Sequence, residues 1–288
     1  MVYLNGKMLP IEEANISVLD RGFLLGDGVY EVIPVYGSKL FRLQQHLDRL
    51  QHSLDSIRIS NPHDDQQWRQ ILEQLIDTKS LQDQSVYLQV TRGVADKRDH
   101  VFPDQVIPTV FAMCNPMNAV SDEILENGAA AISLDDFRWQ RCDIKAITLL
   151  ANVMLKQQAL EADAAEAILI KDGLAIEGAS SNLFIVKDNT IITSPKGTHL
   201  LPGVTRDLVL ELALGNKLSV EERDIREAEL GTADEIWLSS STREILPITD
   251  LDGKQVGDGK PGDMWKKMIA LYRLYKQQLR EGKTDAHD

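Results

Sequence analysis

Four separated stretches of the chain carry residue types that could do chemistry. They are Lys145 and residues 177–182, 202–206 and 239–242. The third stretch places Pro-Gly before a predicted helix, whose first backbone N–H groups and dipole suit an anion such as phosphate. Each feature alone is ordinary, because single lysines and glutamates are mostly solvated and Pro-Gly is common punctuation. Their combination in one chain points to a shared site.

Composition narrows the class of protein. The chain has 288 residues, a formal charge of −13, a pI near 4.9 and 43% hydrophobic residues. A globular protein with a sizeable core is expected, and an acidic chain without a basic cluster argues against nucleic-acid binding. An N-terminus without an apolar core region, and the lack of an apolar run of about 18 residues, argue against secretion and membrane spanning.

The two cysteines, Cys114 and Cys142, match no metal-site spacing and are too few for a disulfide scaffold. We therefore expect no metal site and a cytoplasmic location.

Hydrophobic periodicity predicts an α+β first part. Asn5-Gly6 predicts a hairpin between residues 2–4 and 7–9. Leucines spaced by three and four predict a helix over residues 42–57, and a second helix is expected over 68–76. Strands are expected over residues 86–91 and 108–114. Turn-forming residues at 115–121 predict a linker, which gives domains at 1–118 and 119–288.

The second part mixes short strands with helices. A strand is predicted near residues 129–134 and a helix over 147–162. Two hairpins are predicted, one joining 167–170 to 174–176 and the other joining 183–186 to 190–193. A helix from 204 to 214, a strand at 235–238 and a final helix over 263–278 complete this part.

Taken together, these segments resemble the fold-type IV pyridoxal-phosphate enzymes, a family that includes D-amino-acid transaminases, branched-chain aminotransferases and aminodeoxychorismate lyases. The resemblance rests on Lys145, on Glu-Gly-Ala-Ser-Ser-Asn at 177–182 and on Pro-Gly-Val-Thr-Arg at 202–206. It also includes residues 20–31, His-Leu-Asp-Arg-Leu at 46–50 and the serines at 239–241. The motifs span nearly the whole chain.

The resemblance implies a role for each matching residue. Lys145 would carry pyridoxal 5′-phosphate as a Schiff base and then act as the base that moves the substrate's α-proton. Glu177 would sit beside the ring nitrogen and favour its protonated form. The remaining cofactor contacts implied are Arg49, Val204, Thr205, Ser240 and Ser241 for the phosphate, together with Leu201 and Ser181.

One loop bears on the choice within the family. In D-amino-acid transaminases an Arg-x-His pair and a tyrosine form a trap for the substrate carboxylate, and Arg98, His100 and Tyr30 match it. Without the family, residues 96–100 would be read as a charged solvent loop. The loop lacks a proline and is longer than usual by a residue, which leaves the direction of Arg98 open.

The resemblance therefore implies transamination between a D-amino acid, such as D-alanine or D-glutamate, and a 2-oxo acid, such as pyruvate or 2-oxoglutarate. It also implies a homodimer with a small N-terminal α/β domain and a larger C-terminal mixed β domain with helices. The alternatives are a 4-amino-4-deoxychorismate lyase, which shares the cofactor residues, and a branched-chain L-amino-acid aminotransferase. A binding protein without turnover would be expected to lose Lys145 or Glu177.

Overall fold

A computed structural model describes residues 1–105 and 107–283 of the chain. The chain divides into two compact units. Unit 1 comprises Met1–Asn118, Ile144–Leu149 and Gln278–Asp288, and unit 2 comprises Ala119–Asp143 and Leu150–Gln277. The domain division at residues 118 and 119 stays a prediction.

Unit 1 contains a six-stranded antiparallel sheet with the strand order β2-β1-β6-β5-β3-β4. The strands are β1 (Val2–Leu4), β2 (Lys7–Leu9), β3 (Gly28–Tyr36), β4 (Lys39–Leu40), β5 (Gln84–Thr91) and β6 (Thr109–Pro116). The predicted first hairpin is confirmed, because Asn5 and Gly6 adopt φ angles of 48° and 88° between β1 and β2. The strands predicted at 86–91 and 108–114 are confirmed as β5 and β6.

The helical elements of unit 1 are a 3-10 helix (Ile11–Glu13), α1 (Arg21–Leu25), α2 (Leu43–Ser56) and α3 (Asp65–Glu73). Two of these four, α2 and α3, contribute buried apolar side chains to its core. The predicted stripe on α2 is confirmed, since Leu43, Leu47, Leu50 and Leu54 are all buried in one core cluster. Helix α3 starts earlier than predicted because Asp64 and Gln67 form a capping box that sets its first turn.

Unit 2 is built on a second, larger sheet with the order β12-β11-β10-β14-β15-β7-β8-β9-β13, and β16 pairs with β15. Its strands are β7 (Ala129–Asp135), β8 (Glu166–Lys171), β9 (Leu174–Gly178), β10 (Asn182–Lys187), β11 (Thr190–Thr193), β12 (Ser219–Glu222), β13 (Ile225–Arg226), β14 (Glu235–Ser240), β15 (Glu244–Leu251) and β16 (Lys254–Gln255). Both predicted hairpins, β8–β9 and β10–β11, are confirmed. Strand β7 pairs in parallel with β8 and β15, as β11 does with β12.

Five helices accompany this sheet. They are α4 (Asp122–Asn127), α5 (Leu150–Glu161), α6 (Val204–Gly215), α7 (Glu227–Leu230) and α8 (Asp263–Arg280). The predicted helix at 147–162 begins three residues late. Residue Ile147 instead donates its backbone N–H to Gly28 in unit 1, so the preceding segment is extended rather than helical. Across the described ranges, no helix is both long and apolar enough to traverse a bilayer.

Candidate active site

Lys145 lies on an extended segment of unit 1 that pairs with the start of β3. The N–H of Tyr30 donates to the carbonyl of Lys145 at 3.0 Å, and Ala146 bridges to Val29. The backbone N–H of Lys145 donates to Ser53 Oγ on α2 at 3.2 Å. Backbone bonds to a strand and a helix therefore hold the half-buried lysine in place.

The amine of Lys145 lies over an aromatic ring. Its Nζ is 4.2 Å from the centroid of the Tyr30 ring, and that ring stacks on Tyr87 with centroids 5.7 Å apart. Within the described part of the chain, no carboxylate forms an ion pair with this amine. The structure thus brings together two predicted site residues, Tyr30 and Lys145.

A buried charge network adjoins this segment in unit 1. Arg49 Nε and Nη2 donate to the two carboxylate oxygens of Glu31 at 2.8 and 2.7 Å, and His46 Nδ1 lies 2.8 Å from Glu31 Oε2. Burial alone would raise the pKa of Glu31, but the charge and hydrogen bonds of Arg49 and His46 lower it to about 2. Burial lowers the pKa of His46, and the charges of Arg49 and Lys145 lower it further against the opposing effect of Glu31. The predicted phosphate ligand Arg49 is thus also the partner of a buried carboxylate.

Arg98 and His100, the other predicted carboxylate ligands, lie on an exposed loop of unit 1 after β5. Among the residues that the structure describes, neither side chain forms a hydrogen bond, ion pair or ring contact with Tyr30 or Lys145. The structure therefore does not join these two residues to the lysine within one chain.

Glu177, at the end of β9, is the centre of the corresponding network in unit 2. Its Oε1 accepts a hydrogen bond from Arg138 Nη1 at 2.7 Å. Its Oε2 accepts from Asn182 Nδ2 and from the backbone N–H of Leu201, both at 3.1 Å. Burial and, to a smaller extent, the charge of Asp136 raise the pKa of Glu177 against the lowering effects of Arg138 and the Leu201 N–H, and the net result is a pKa of about 7.

The other bonds of Arg138 explain why its short contact with Glu177 does not lower the pKa of Glu177 below the ordinary value. Its Nε and Nη2 both donate to Asp136, at 2.9 Å each. The bidentate face of the guanidinium therefore serves Asp136, and Glu177 receives a single donor.

The start of α6 in unit 2 has the features of an anion site. Gly203 caps the helix, and no side chain among the described residues bonds to its first N–H groups. Val204 and Thr205 follow it and are both buried. A Cβ at Gly203 would lie 1.9 Å from Asn182 Oδ1, so glycine is needed for this close approach. The helix start therefore offers backbone donors without a protein acceptor.

The predicted serine and leucine ligands also belong to unit 2. Ser181 Oγ is buried and has no hydrogen-bond partner within the described residues. Ser240 Oγ accepts a bond from the N–H of Arg243 at 3.3 Å, and Ser240 and Ser241 are half-buried at the end of β14. Leu201 is half-buried, and its carbonyl accepts from Asn182 at 2.8 Å.

Sequence reasoning missed three polar residues of these networks. Arg138 and Asp136 were not singled out, although they lie two residues apart and pair in the structure. Asn182 ends the quoted motif at 177–182 and could have been found from it, because a buried amide there needs partners. Arg138 lies 39 residues from Glu177, so only the fold could assign it.

Comparisons with known proteins place these observations in a family. The family model for amino-transferase class IV matches residues 28–251. The D-alanine aminotransferase of Bacillus licheniformis is 43% identical to the chain over 267 residues, which cover 93% of this chain and 94% of that protein.

Solved structures agree with the fold. The branched-chain amino acid aminotransferase of Escherichia coli superimposes with a TM-score of 0.86 and 27% identity, covering 95% of this chain and 94% of that one. The 4-amino-4-deoxychorismate lyase of Pseudomonas aeruginosa gives a TM-score of 0.81 and 28% identity, covering 95% and 98%. The predicted α+β fold and the resemblance to fold-type IV enzymes are confirmed. The chain belongs to the class IV aminotransferase family.

Proposed function

We propose that this chain transfers the amino group of a D-amino acid to a 2-oxo acid, with pyridoxal 5′-phosphate as its cofactor. D-Alanine and D-glutamate are the amino donors we favour, and pyruvate and 2-oxoglutarate are the acceptors. The assignment of a D-amino acid as substrate rests on the 43% identity to the D-alanine aminotransferase of Bacillus licheniformis over 93% of the chain.

The residues of the structure fit this cofactor. A phosphate needs unpaired N–H donors, which the start of α6 supplies at Val204 and Thr205. The buried Ser181 hydroxyl lacks a partner among the described residues, as expected of a group that awaits a polar ligand. When bound, pyridoxal phosphate supplies an electron-withdrawing ring that stabilises negative charge at the substrate's α-carbon.

Lys145 would hold the cofactor through Nζ and, once displaced by the substrate's amine, would take the proton from the α-carbon. Lys145 Nζ lies 4.2 Å from the centre of the Tyr30 ring, and no carboxylate of the described residues pairs with it. Backbone bonds to Tyr30 and Ser53 limit the movement of the lysine's own backbone. The side chain can then move between holding the cofactor and accepting the α-proton while its backbone stays fixed.

Glu177 would hold a proton on the ring nitrogen of the cofactor. Arg138, Asn182 and the N–H of Leu201 orient its carboxylate and leave it little freedom to turn. A cationic ring nitrogen beside it would favour the ionised form of Glu177, whose pKa burial raises to about 7 without it.

The remaining predicted residues complete the cofactor and substrate contacts in this proposal. Thr205, Ser240, Ser241 and Arg49 would donate to the phosphate, and Leu201 would pack on the ring. Tyr30, Arg98 and His100 would bind the substrate's α-carboxylate, which arginine recognises through two parallel N–H donors. An acidic chain needs such local cationic groups to attract an anion.

A homodimer is part of the proposal. An apolar patch of unit 1 includes residues of the loop that bears Arg98 and His100 and residues of the segment 18–23. It consists of Val18, Leu19, Phe23, Val94, Val101, Phe102 and Ile107, whose exposed fractions run from 38% to 88%. Backbone bonds of Arg21 to Gly93 and of Ala95 to Leu19 tie its parts together. Exposed apolar clusters of this kind mark protein interfaces, and a second copy would bury the patch together with the loop.

Sedimentation equilibrium should give twice the monomer mass of 32.3 kDa. A double substitution, Val101→Asp with Ile107→Asp, should shift the species towards monomer, and a wild-type monomer would contradict the dimer.

We also propose a cytoplasmic location, which the free thiols of Cys114 and Cys142 support.

The proposed reaction is tested by the absorbance spectrum of the purified holoenzyme. D-Alanine alone should convert the bound cofactor to pyridoxamine phosphate, whereas L-alanine and L-leucine should leave the spectrum unchanged. Conversion by L-leucine only would favour a branched-chain enzyme. Pyruvate release from aminodeoxychorismate without a response to D-alanine would favour the lyase.

The matched variants are Lys145→Ala and Lys171→Ala, because both remove a lysine but only the first removes the proposed cofactor amine. Lys145→Ala should bind cofactor without a covalent link, which borohydride reduction followed by mass spectrometry detects. Lys171→Ala should retain the link and the response to D-alanine.

A further inference from the structure

The motif at residues 20–27 has no role in the proposed function, although it contains a buried arginine. We infer that Arg21 is a positioning residue that holds the loop with Arg98 and His100 in the conformation that binds the substrate's carboxylate. This inference rests on the proposed function. It assigns the selectivity of the site for a carboxylate in part to a residue that touches no substrate.

Arg21 donates hydrogen bonds to the loop on both sides of His100. Its Nη1 donates to the carbonyl of Asp99 at 2.6 Å and to the carbonyl of Val101 at 3.3 Å. Arg21 is 3% exposed, so water competes little for these bonds. The side chains of Arg98 and His100 make no hydrogen bond or ion pair within the described residues, which leaves the backbone as the means of setting their direction.

The guanidinium of Arg21 is itself oriented by a shared carboxylate. Its Nε donates to Asp27 Oδ2 at 2.8 Å, and Arg92 donates to both oxygens of Asp27 at 2.7 and 3.0 Å. Burial alone would raise the pKa of Asp27, but the hydrogen bonds and charges of Arg92 and Arg21 lower it. Asp27 therefore stays charged and holds both arginines.

Arg92 anchors this arrangement to two further parts of unit 1. Its Nη2 donates to the carbonyl of Ile57 at 2.7 Å, just beyond α2. The ring of Phe102, the residue after Val101 in the loop, lies 3.7 Å from the guanidinium carbon of Arg92. Arg21 and Arg92 therefore hold the same stretch of the loop, residues 99–102, from two directions.

The backbone at Arg21 is fixed as well. Asp20 caps α1 by accepting from the N–H of Gly22 at 2.8 Å, and it also accepts from the hydroxyls of Thr91 and Thr109 at 2.8 and 2.6 Å. The N–H of Arg21 donates to the carbonyl of Gly93, where the loop begins, at 2.9 Å. Arg21 therefore stands on a rigid base that is bonded to the sheet.

This geometry requires arginine rather than lysine. One guanidinium nitrogen faces Asp27 while another faces the two loop carbonyls, and these directions are set by the planar fork. A lysine ammonium has three N–H donors but all on one nitrogen, so it can pair with Asp27 or with the loop but cannot span both. Arg21→Lys therefore keeps the charge and releases the loop.

The test compares wild-type holoenzyme with Arg21→Lys in steady-state transamination of D-alanine. Misplacing carboxylate ligands weakens binding more than chemistry, so KM should rise about tenfold or more while kcat changes by less than about threefold. The Kd of propanoate, a carboxylate without an amine, should rise by a similar factor. Hydrogen–deuterium exchange of peptides from residues 94–105 should be faster in the variant.

Arg280→Lys is the matched control, because Arg280 also pins a segment of unit 1 through a paired carboxylate, Asp83, at 2.7 and 2.8 Å. It should leave the KM, the Kd of propanoate and the loop's exchange unchanged. Asp27→Asn is the second variant, in case Arg21→Lys folds poorly. It frees Arg21 from its orienting partner and should also raise KM and loop exchange.

Three outcomes separate the possibilities. Unchanged KM, propanoate affinity and loop exchange in a folded Arg21→Lys or Asp27→Asn variant would overturn the role of Arg21. A fall in kcat at constant KM would overturn it too, because it would indicate a defect in chemistry. If wild-type holoenzyme does not react with D-alanine, the proposed function fails. Faster hydrogen–deuterium exchange of the loop in Arg21→Lys would then still support the contact between Arg21 and the loop.

Discussion

Two buried glutamates, one in each unit, differ in their preferred ionisation although each is paired with an arginine. Glu31 is 0% exposed and Glu177 is 3% exposed. The pKa of Glu31 is lowered to about 2, whereas that of Glu177 is raised to about 7. Burial acts in the same direction on both, so the difference comes from their partners.

The orientation of each arginine accounts for the contrast. Arg49 presents its bidentate face to Glu31, and His46 adds a third contact. Arg138 presents that face to Asp136 and gives Glu177 one N–H group. An ion pair offsets the effect of burial on a carboxylate's pKa only when the charge is fully paired. An arginine shared with a second carboxylate therefore leaves the pKa of Glu177 close to neutral pH.

The largest effect that we expect from breaking this comparison is on stability. Glu31→Gln should lower the free energy of unfolding at pH 7 by about 3–5 kcal/mol, because Arg49 would remain buried without its counter-charge. Urea denaturation of the apoprotein measures this change. Glu73→Gln is the control, since Glu73 is half-exposed and 3.7 Å from Arg69, and a loss of less than about 1 kcal/mol is expected. Equal losses in both variants would contradict the strong pairing of Glu31.

The pH dependence of stability should have opposite signs for the two glutamates. Glu31 has a lowered pKa, so its stabilisation is present above pH 4.5 and is lost as pH falls towards 2. Glu177 has a raised pKa, so the folded apoprotein keeps a proton that the unfolded chain releases, and stability falls as pH rises from 4.5 to 7. Each contribution amounts to about 3 kcal/mol.

Unfolding of the apoprotein between pH 2 and 8 tests these signs. Glu31→Gln should flatten the acid limb only, and Glu177→Gln should flatten the limb between pH 4.5 and 7 only. A wild-type apoprotein whose stability grows from pH 4.5 to 7 by an amount that Glu177→Gln abolishes would show that the sign for Glu177 is wrong.

Activity separates the two carboxylates further. Glu177→Gln should lower kcat for D-alanine roughly 100-fold, because a neutral amide cannot stabilise positive charge on the cofactor's ring nitrogen. Stopped-flow absorbance of the holoenzyme measures the rate. Glu229→Gln is the control in the same unit, since Glu229 pairs with Arg223 away from Glu177. A kcat within about threefold of wild type would remove Glu177 from the proposed mechanism.

The smallest effect comes from Asp136. Asp136→Asn removes the competing charge on Arg138 and should lower the pKa of Glu177 by about one unit. Carbon-13 NMR of labelled carboxyl groups in the apoprotein follows this titration, with Glu177→Gln used to assign the signal. Asp143→Asn, which disturbs the neighbouring pair with Arg141, should leave it in place. A rise in the Glu177 pKa in Asp136→Asn would contradict the sharing of Arg138.

Local sequence patterns predicted much of the fold. Asn5-Gly6 identified the first hairpin, and the leucine spacing identified α2, because turn geometry and helical periodicity act over a few residues. Strand β3 was not predicted, since Pro34 lies in its interior and the motif at 20–31 gives no clear alternation. The late start of α5 follows from bonds to Gly28, which no local pattern contains.

The sequence by itself determined which residues are available for chemistry, because Lys145, Glu177 and the Gly203–Thr205 helix start belong to motifs read within a few positions. Tertiary structure decided which of these groups are ionised and which residues hold them in position. Arg138 reaches Glu177 across 39 residues, Arg49 reaches Glu31 across 18, and Arg21 reaches the carbonyl of Asp99 across 78. Ionisation and loop position depend on burial and on the direction of each donor, and these arise only when distant segments pack together.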